Sequence, residues 1–259
     1  MASLARGMTG VVLVTGGARR IGREICLRLS EEGFPIAIHY RNSEDDAKSL
    51  KDEIESSGGR AFSIQCDLNE TDSVKSLIPN VTESMGEVVG VVNNASYFEF
   101  DRIEEISEDT WLEHMKVNSL APLLLIGELS RSSVEGSWAV NILDFKVESP
   151  NADYLSYTSS RFAMHGLTSA LAIDLAPKVR VNSVAPGHVL TSDVLDERSL
   201  RRVQSESPLG FGPSARDVAE SVAFLANSPV ITGQTIFVDS GERFRQMKRD
   251  PAFDMEGVK

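Results

Sequence analysis

Short apolar runs at residues 11–14, 36–38, 61–64, 88–92, 137–143, 179–184 and 235–238 recur along nearly the whole chain. They are rich in β-branched residues, too short for buried helices, and mostly continuous rather than alternating, as strands buried on both faces are. Between several of them lie amphipathic stretches. One runs to about Leu29 and is stopped by Gly33; another places Ala47, Leu50 and Ile54 at helical spacing and ends at Gly58-Gly59. Two longer helices are predicted over about 107–130 and 157–176. Strands alternating with helices build βαβ units. The expected class is therefore α/β: a doubly wound, seven-stranded parallel sheet with helices on both faces. No Pro- or Ser-rich linker, repeat or low-complexity block divides the 259 residues, so a single domain over 1–259 is expected.

Composition narrows the function. With 41% hydrophobic and 25% charged residues, the chain can bury a large core. The 26 basic and 38 acidic residues give a net charge of −12, which repels phosphate backbones and anionic lipid. Nucleic-acid and membrane binding are disfavoured. Cys26 and Cys66 form neither a disulfide framework nor a zinc site, and His39, His114, His165 and His188 show no metal-ligand spacing. His188, just after Pro186-Gly187, reads as a surface loop residue, with contact to substrate as the alternative. The opening Met-Ala-Ser-Leu-Ala-Arg lacks the apolar core of a secretion signal, so a cytoplasmic protein is expected.

Thr15-Gly16-Gly17-Ala18-Arg19-Arg20-Ile21-Gly22 follows the first strand and opens the first helix. Glycines there let the backbone approach a pyrophosphate, and the helix N-terminus offers free N–H groups. Gly16, Arg19, Arg20, Ile21 and Gly22 are thus candidate cofactor contacts. An NAD site places Asp or Glu at the end of the second strand to bind the ribose hydroxyls. Here that end reads Tyr40-Arg41-Asn42-Ser43, with no carboxylate before Glu44. Arg41 and Ser43 suit a 2′-phosphate, and Arg20 adds a second cation converging on it. The expected cofactor is NADP(H). At the other end, Tyr157 and Arg161 are four apart and share a helix face. A fixed cation there would lower the phenol's pKa from about 10 toward the working range.

These elements, with Asn93-Asn94-Ala95-Ser96 after the fourth strand, Asn118 in the first long helix and Pro186-Gly187 after the sixth strand, resemble the short-chain dehydrogenase/reductase family. The likeness covers about residues 9–243 and implies a Rossmann-type fold. It is closer to pteridine reductases and bacterial dihydromonapterin reductases. That branch has Arg where the family at large has a third glycine, as at Arg20. It also has Ser96 and an aromatic pair, Tyr97-Phe98, after Ala95, and an Asp thirteen residues before the tyrosine, as at Asp144, in place of the family's serine.

The resemblance implies that Asp67, Leu68, Asn93, Ala95, Ser96, Pro186 and Gly187 touch cofactor. Arg20, Ser96, Phe98, Asp144, Tyr154 and Tyr157 would touch substrate. Asp144, Tyr157, Arg161 and Asn118 would serve catalysis, Asn118 by holding a water. The implied reaction is NADPH-dependent reduction of a dihydropterin or dihydrofolate-type substrate, hydride adding at C6 and a proton at N5. The family's Lys, four residues after the tyrosine, is Arg161 here, and Arg cannot relay a proton. Two alternatives follow: a carbonyl or 3-oxoacyl reductase of the same family, and an NADP(H)-binding sensor or scaffold with weak turnover. The resemblance also implies a homotetramer in which the two long helices pair across subunits, with Phe162, Leu167, Leu171 and Leu175 available for contact. Residues 188–214 are expected to cover the substrate. The tail after Gly241 either packs on a neighbouring subunit or frays.

Overall fold

The computed structural model describes residues 10–132, 134–192 and 194–253; the opening Met1–Arg6 segment lies outside them. Each apolar run is a strand: β1 (Val11–Val14), β2 (Ile36–Tyr40), β3 (Ala61–Gln65), β4 (Val88–Asn93), β5 (Ser137–Ile142), β6 (Val179–Pro186) and β7 (Thr235–Val238). They form one parallel sheet in the order β3-β2-β1-β4-β5-β6-β7. Successive side chains of a strand point to opposite faces, so Val11 and Leu13 enter one core while Val12 and Val14 enter the other. On the Val12 face lie α1 (Arg20–Glu31), α2 (Glu44–Ser56) and α8 (Ala215–Ala226). The Leu13 face carries α3 (Thr71–Met85), α5 (Ala121–Ser132) and α6 (Leu155–Asp174). Between them in the chain fall α4 (Glu108–Met115) and α7 (Glu197–Ser205).

The strand order reverses between β1 and β4. Loops leaving their carboxyl ends diverge there and open the crevice where such sheets bind ligands.

The helix predicted over 107–130 is two helices, α4 and α5, joined by a π-helical turn at Lys116–Leu120. Pro122 has no N–H to give the carbonyl of Asn118, four residues earlier, and the ladder widens at that point. Helices α3, α7 and α8 add to the elements that the sequence predicts. In α7 only Val203 is buried, so its apolar period is a single residue deep. Ser214 caps α8 in a reciprocal pair with Asp217. Of the contact positions expected on α6, Leu167, Leu171 and Leu175 pack against the chain's own core, and only Phe162 is exposed. No helix among the described residues is long and apolar enough to cross a membrane.

Gly90 and Trp138 face each other across β4 and β5. A Cβ on Gly90 would lie 2.5 Å from the indole, which is buried and held edge-on against Phe34. Gly90→Ala should therefore destabilise the fold by about 1–3 kcal/mol through overpacking. Urea denaturation followed by tryptophan fluorescence checks this; an unchanged midpoint would show that the ring can move.

Candidate active site

At the end of β1 the glycine turn is tied to its neighbours on three sides. The Thr15 hydroxyl accepts the N–H groups of Asn94 and Ala95, both at 3.0 Å. The Asn94 amide donates to the carbonyls of Thr15 (2.9 Å) and Gly16 (3.1 Å). From β2, buried His39 accepts the Gly16 N–H on Nδ1 and donates from Nε2 to the Cys66 carbonyl, each at 3.0 Å. Those partners assign the Nε2–H tautomer. Burial pulls the imidazole down to about 4, so His39 is neutral near pH 7. Gly22 is required by contact: a Cβ there would stand 2.2 Å from the Gly16 carbonyl oxygen.

The cations do not converge as expected. Arg20, in the left-handed region at φ 55°, sends its guanidinium across the cavity to the Thr191 carbonyl at 2.7 Å. A non-glycine residue held there is strained by about 1–2 kcal/mol. It is Arg19 that reaches the first turn of α2, where it pairs with Asp46. Arg41 pairs with Asp67 at 3.1 Å. Tyr40, Asn42, Ser43 and Leu68 line the same end of the cavity, and no carboxylate occupies the tip of β2.

Asn93 does not face the cavity. Its amide donates to Asn141 at 2.9 Å inside the sheet, and Asn94, one residue on, takes the position against the turn. Asn118 is also spent internally: its oxygen accepts the Tyr97 N–H (2.8 Å), and its nitrogen donates to the Tyr97 carbonyl (2.9 Å) and Ser160 (3.0 Å). That side chain fixes the backbone leading to Phe98, using both amide hydrogens and one of the two lone pairs of Oδ1.

Tyr157 and Asp144 meet. β5 ends at Ile142, and Asp144 caps the 3-10 turn Phe145–Val147, accepting the Lys146 N–H on Oδ1 at 2.9 Å. Its other oxygen accepts the Tyr157 hydroxyl at 3.1 Å. Asp144 is thus both a turn cap and a partner of the phenol. Arg161 lies beneath, its guanidinium carbon 5.0 Å from the phenol centroid. The expected lowering of the tyrosine is overturned. Burial and the Asp144 charge push Tyr157 above its ordinary range, and the Arg161 cation offsets only part of that. The neutral phenol is therefore the favoured form of Tyr157. Phe98 stacks on Tyr154 at 4.3 Å and meets Tyr157 edge-on at 4.7 Å. The rings gather on one wall beside exposed Ser96, and Pro186 and Gly187 face them.

The cavity, about 720 Å³, has further charged residues that sequence reasoning missed. Buried Lys146 donates to Asp250 at 2.8 Å and stands 4.8 Å from the Tyr154 centroid. Through residue 253 the tail folds back along the cavity: Arg249 Nε and the Asp250 N–H both reach Asp153, and Phe253 packs on Phe100 and Tyr154. His188 is no surface residue. Its Nδ1 meets Glu242 at 2.5 Å, and its N–H donates to the other carboxylate oxygen at 3.0 Å. Gly187 leaves room for that carboxylate, which a Cβ would approach to 2.6 Å. The expected cover is present: Val189, Leu190, Ser192, Val194 and Leu195 line the cavity. A clue to the tail was available in its Phe and Arg residues, which a frayed end does not need.

Residues 16–242 match a short-chain dehydrogenase family model described as enoyl-(acyl carrier protein) reductase. The chain is 31% identical over 241 residues to 3-oxoacyl-[acyl-carrier-protein] reductase FabG of Staphylococcus aureus, covering 90% of this chain and 98% of the relative. Among solved structures, FolM alternative dihydrofolate reductase 1 of Brucella canis, complexed with NADP, is 33% identical with TM-score 0.86, covering 94% and 97% of the two chains. The Brucella suis FolM structure, also with NADP, is 34% identical with TM-score 0.88, covering 92% and 96%. With a glycine turn, a reversed strand order and a tyrosine on α6 facing the cavity, the chain belongs to the short-chain dehydrogenase/reductase family.

Proposed function

We propose that this protein is an NADPH-dependent pteridine reductase, acting on a dihydropterin or dihydrofolate-type substrate and adding hydride to C6 and a proton to N5. The observation that carries the reading is the Asp144 carboxyl 3.1 Å from the Tyr157 hydroxyl, with the Phe98 and Tyr154 rings alongside. A carboxyl beside a phenol suits protonation of a ring nitrogen, and an aromatic wall suits a flat heterocycle. The FolM neighbours support the same branch.

The residues present fit the cofactor. Arg161 Nε is buried with no hydrogen-bond partner. An unsatisfied buried donor costs about 1–3 kcal/mol, which a ribose hydroxyl would relieve. The glycine turn and the N-terminus of α1 fit a pyrophosphate. Arg19 and Arg41 fit a 2′-phosphate, which would compete with Asp46 and Asp67 for their guanidiniums. NADPH, when bound, supplies a hydride from its nicotinamide. Arg161 anchors the ribose, Ser96 and Arg20 border the substrate, and Asp144 with Tyr157 holds the proton for N5. A homotetramer paired through α4, α5 and α6 would cover exposed Leu112, Leu120 and Phe162.

The FabG relatives favour a second reading, reduction of a 3-oxoacyl thioester. This chain lacks the serine and lysine that would polarise a carbonyl, having Asp144 and Arg161 instead. Steady-state NADPH oxidation with dihydrobiopterin, dihydrofolate and an acetoacetyl thioester separates the cases. The pterin is expected to exceed the thioester by about 100-fold or more in kcat/KM. The reverse order would replace the pteridine reading with the carbonyl one, and tight NADPH binding without consumption would leave a scaffold.

A further inference from the structure

The family's proton path runs through a lysine that this chain does not have. Arg161 holds its charge but does not give up a proton at working pH. Asp144 and Tyr157 share one proton site at the substrate, and each turnover takes a proton from them. Something else must return it.

His188 lines the same cavity as Asp144 and Tyr157. It lies two residues past the end of β6, and Asp144 two residues past the end of β5. These strands are adjacent, with Ile142 in register with Val184, and both loops open into the same cavity. The imidazole rests 5.5 Å from the ring of Phe145, the residue after Asp144. Its orientation is fixed from behind: Glu242 takes Nδ1 on one oxygen and the His188 N–H on the other, while Gln204 donates to the His188 carbonyl at 2.8 Å. A His–carboxylate pair of this kind leaves Nε2 as the ring's working nitrogen. Glu242 comes from the turn after β7 and is itself buried, so a distant part of the chain is committed to aiming one imidazole.

We propose that His188, oriented by Glu242, is the proton donor that recharges the Asp144–Tyr157 pair, doing what the family's lysine does elsewhere. The proposal rests on the reductase reading above. The balance per turnover is one hydride and one proton. The hydride pair forms the new C6–H bond, and the C6=N5 π pair moves onto N5 and takes the proton held by Tyr157 and Asp144. His188 Nε2–H then returns a proton to that pair, directly or through a water, and is itself reprotonated from solvent.

The surroundings favour the protonated imidazole relative to a free one. Burial disfavours the cation, but the Glu242 hydrogen bond and the charges of Glu242, Asp250 and Asp144 outweigh it, and His188 sits above the ordinary histidine value. Lys146 is paired with Asp250 at 2.8 Å and so offsets part of that carboxylate's charge. The donor form is present at low pH and is lost as pH rises through the raised value.

The test pairs kinetics with a titration that needs no turnover. In the wild type, kcat with NADPH and dihydrobiopterin should fall as pH rises through the His188 titration. His188→Gln keeps an amide for Glu242 but carries no proton. It should lower kcat by about 10–100-fold, abolish that limb of the profile and leave the KM for NADPH unchanged. Imidazole in the buffer should restore turnover to His188→Gly. Glu242→Gln should move the limb to lower pH. A His188→Gln enzyme with wild-type kcat and pH profile would overturn the relay. Separately, nitrogen-15 NMR of the unliganded protein should show His188 titrating at lower pH in Asp144→Asn than in wild type. An unchanged titration would show that the two groups do not communicate. That outcome overturns the relay even if the wild type reduces no pterin, whereas absence of pterin turnover with coupled titrations would count only against the substrate reading.

Discussion

Tyr157→Phe should reduce single-turnover hydride transfer by about 10²–10⁴-fold, the range for loss of a positioned proton donor. The NADPH dissociation constant should change by no more than about threefold, since a threefold change is only about 0.65 kcal/mol. The substitution removes one oxygen and little else. The ring that meets Phe98 edge-on and lies over Arg161 is kept, so the aromatic wall survives. What disappears is the hydroxyl bonded to Asp144 at 3.1 Å. Because burial and the neighbouring carboxylate hold Tyr157 in its neutral form, the loss should be similar across neutral pH. Stopped-flow loss of NADPH absorbance with excess dihydropterin, beside a fluorescence titration of NADPH alone, gives both numbers. A rate within tenfold of wild type would mean that the phenol is not the acid.

The second large effect is on binding. Gly22→Ala should weaken NADPH by about 100-fold or more, equivalent to at least about 2.7 kcal/mol. The added methyl would stand 2.2 Å from the Gly16 carbonyl oxygen, and that oxygen cannot step aside cheaply. Asn94 donates to it, and His39 holds the Gly16 N–H on the other side. Relief requires reshaping the turn, which moves the N–H groups at the start of α1 away from a pyrophosphate. Isothermal titration calorimetry measures the loss, with far-UV circular dichroism to show that the sheet persists. Affinity within threefold of wild type would mean that the turn does not carry the phosphates.

What the sequence discloses follows the range of the interactions. The sheet is legible because a strand buried on both faces needs a continuous β-branched run, a property local to four or five residues. The meeting of Asp144 with Tyr157 is legible through the family likeness, since a strand end and the helix after it lie only thirteen residues apart. Side-chain direction is harder. Asn93 and Asn94 are chemically alike and adjacent, and strand alternation alone sends one into the sheet and the other onto the turn. The same holds for Arg19 and Arg20, where a left-handed backbone decides which guanidinium reaches α2 and which crosses to Thr191. Least legible are the pairings made across the whole fold. His188 finds Glu242 54 residues later and Lys146 finds Asp250 104 residues later. No periodicity or spacing encodes such partners, and each looks like a solvated charge until the chain is folded.

Chain ends are ordinarily the places where a protein can be trimmed, lengthened or fused with little penalty. Asp250 and Phe253 break that habit by standing against Lys146 and Tyr154. Residues 249–253 here carry the kind of contacts usual in an interior. Relatives sharing every upstream motif but ending differently would therefore present differently shaped recesses to their small molecules. Grouping them by the nucleotide and tyrosine signatures alone would overlook the recess wall that residues 249–253 supply here.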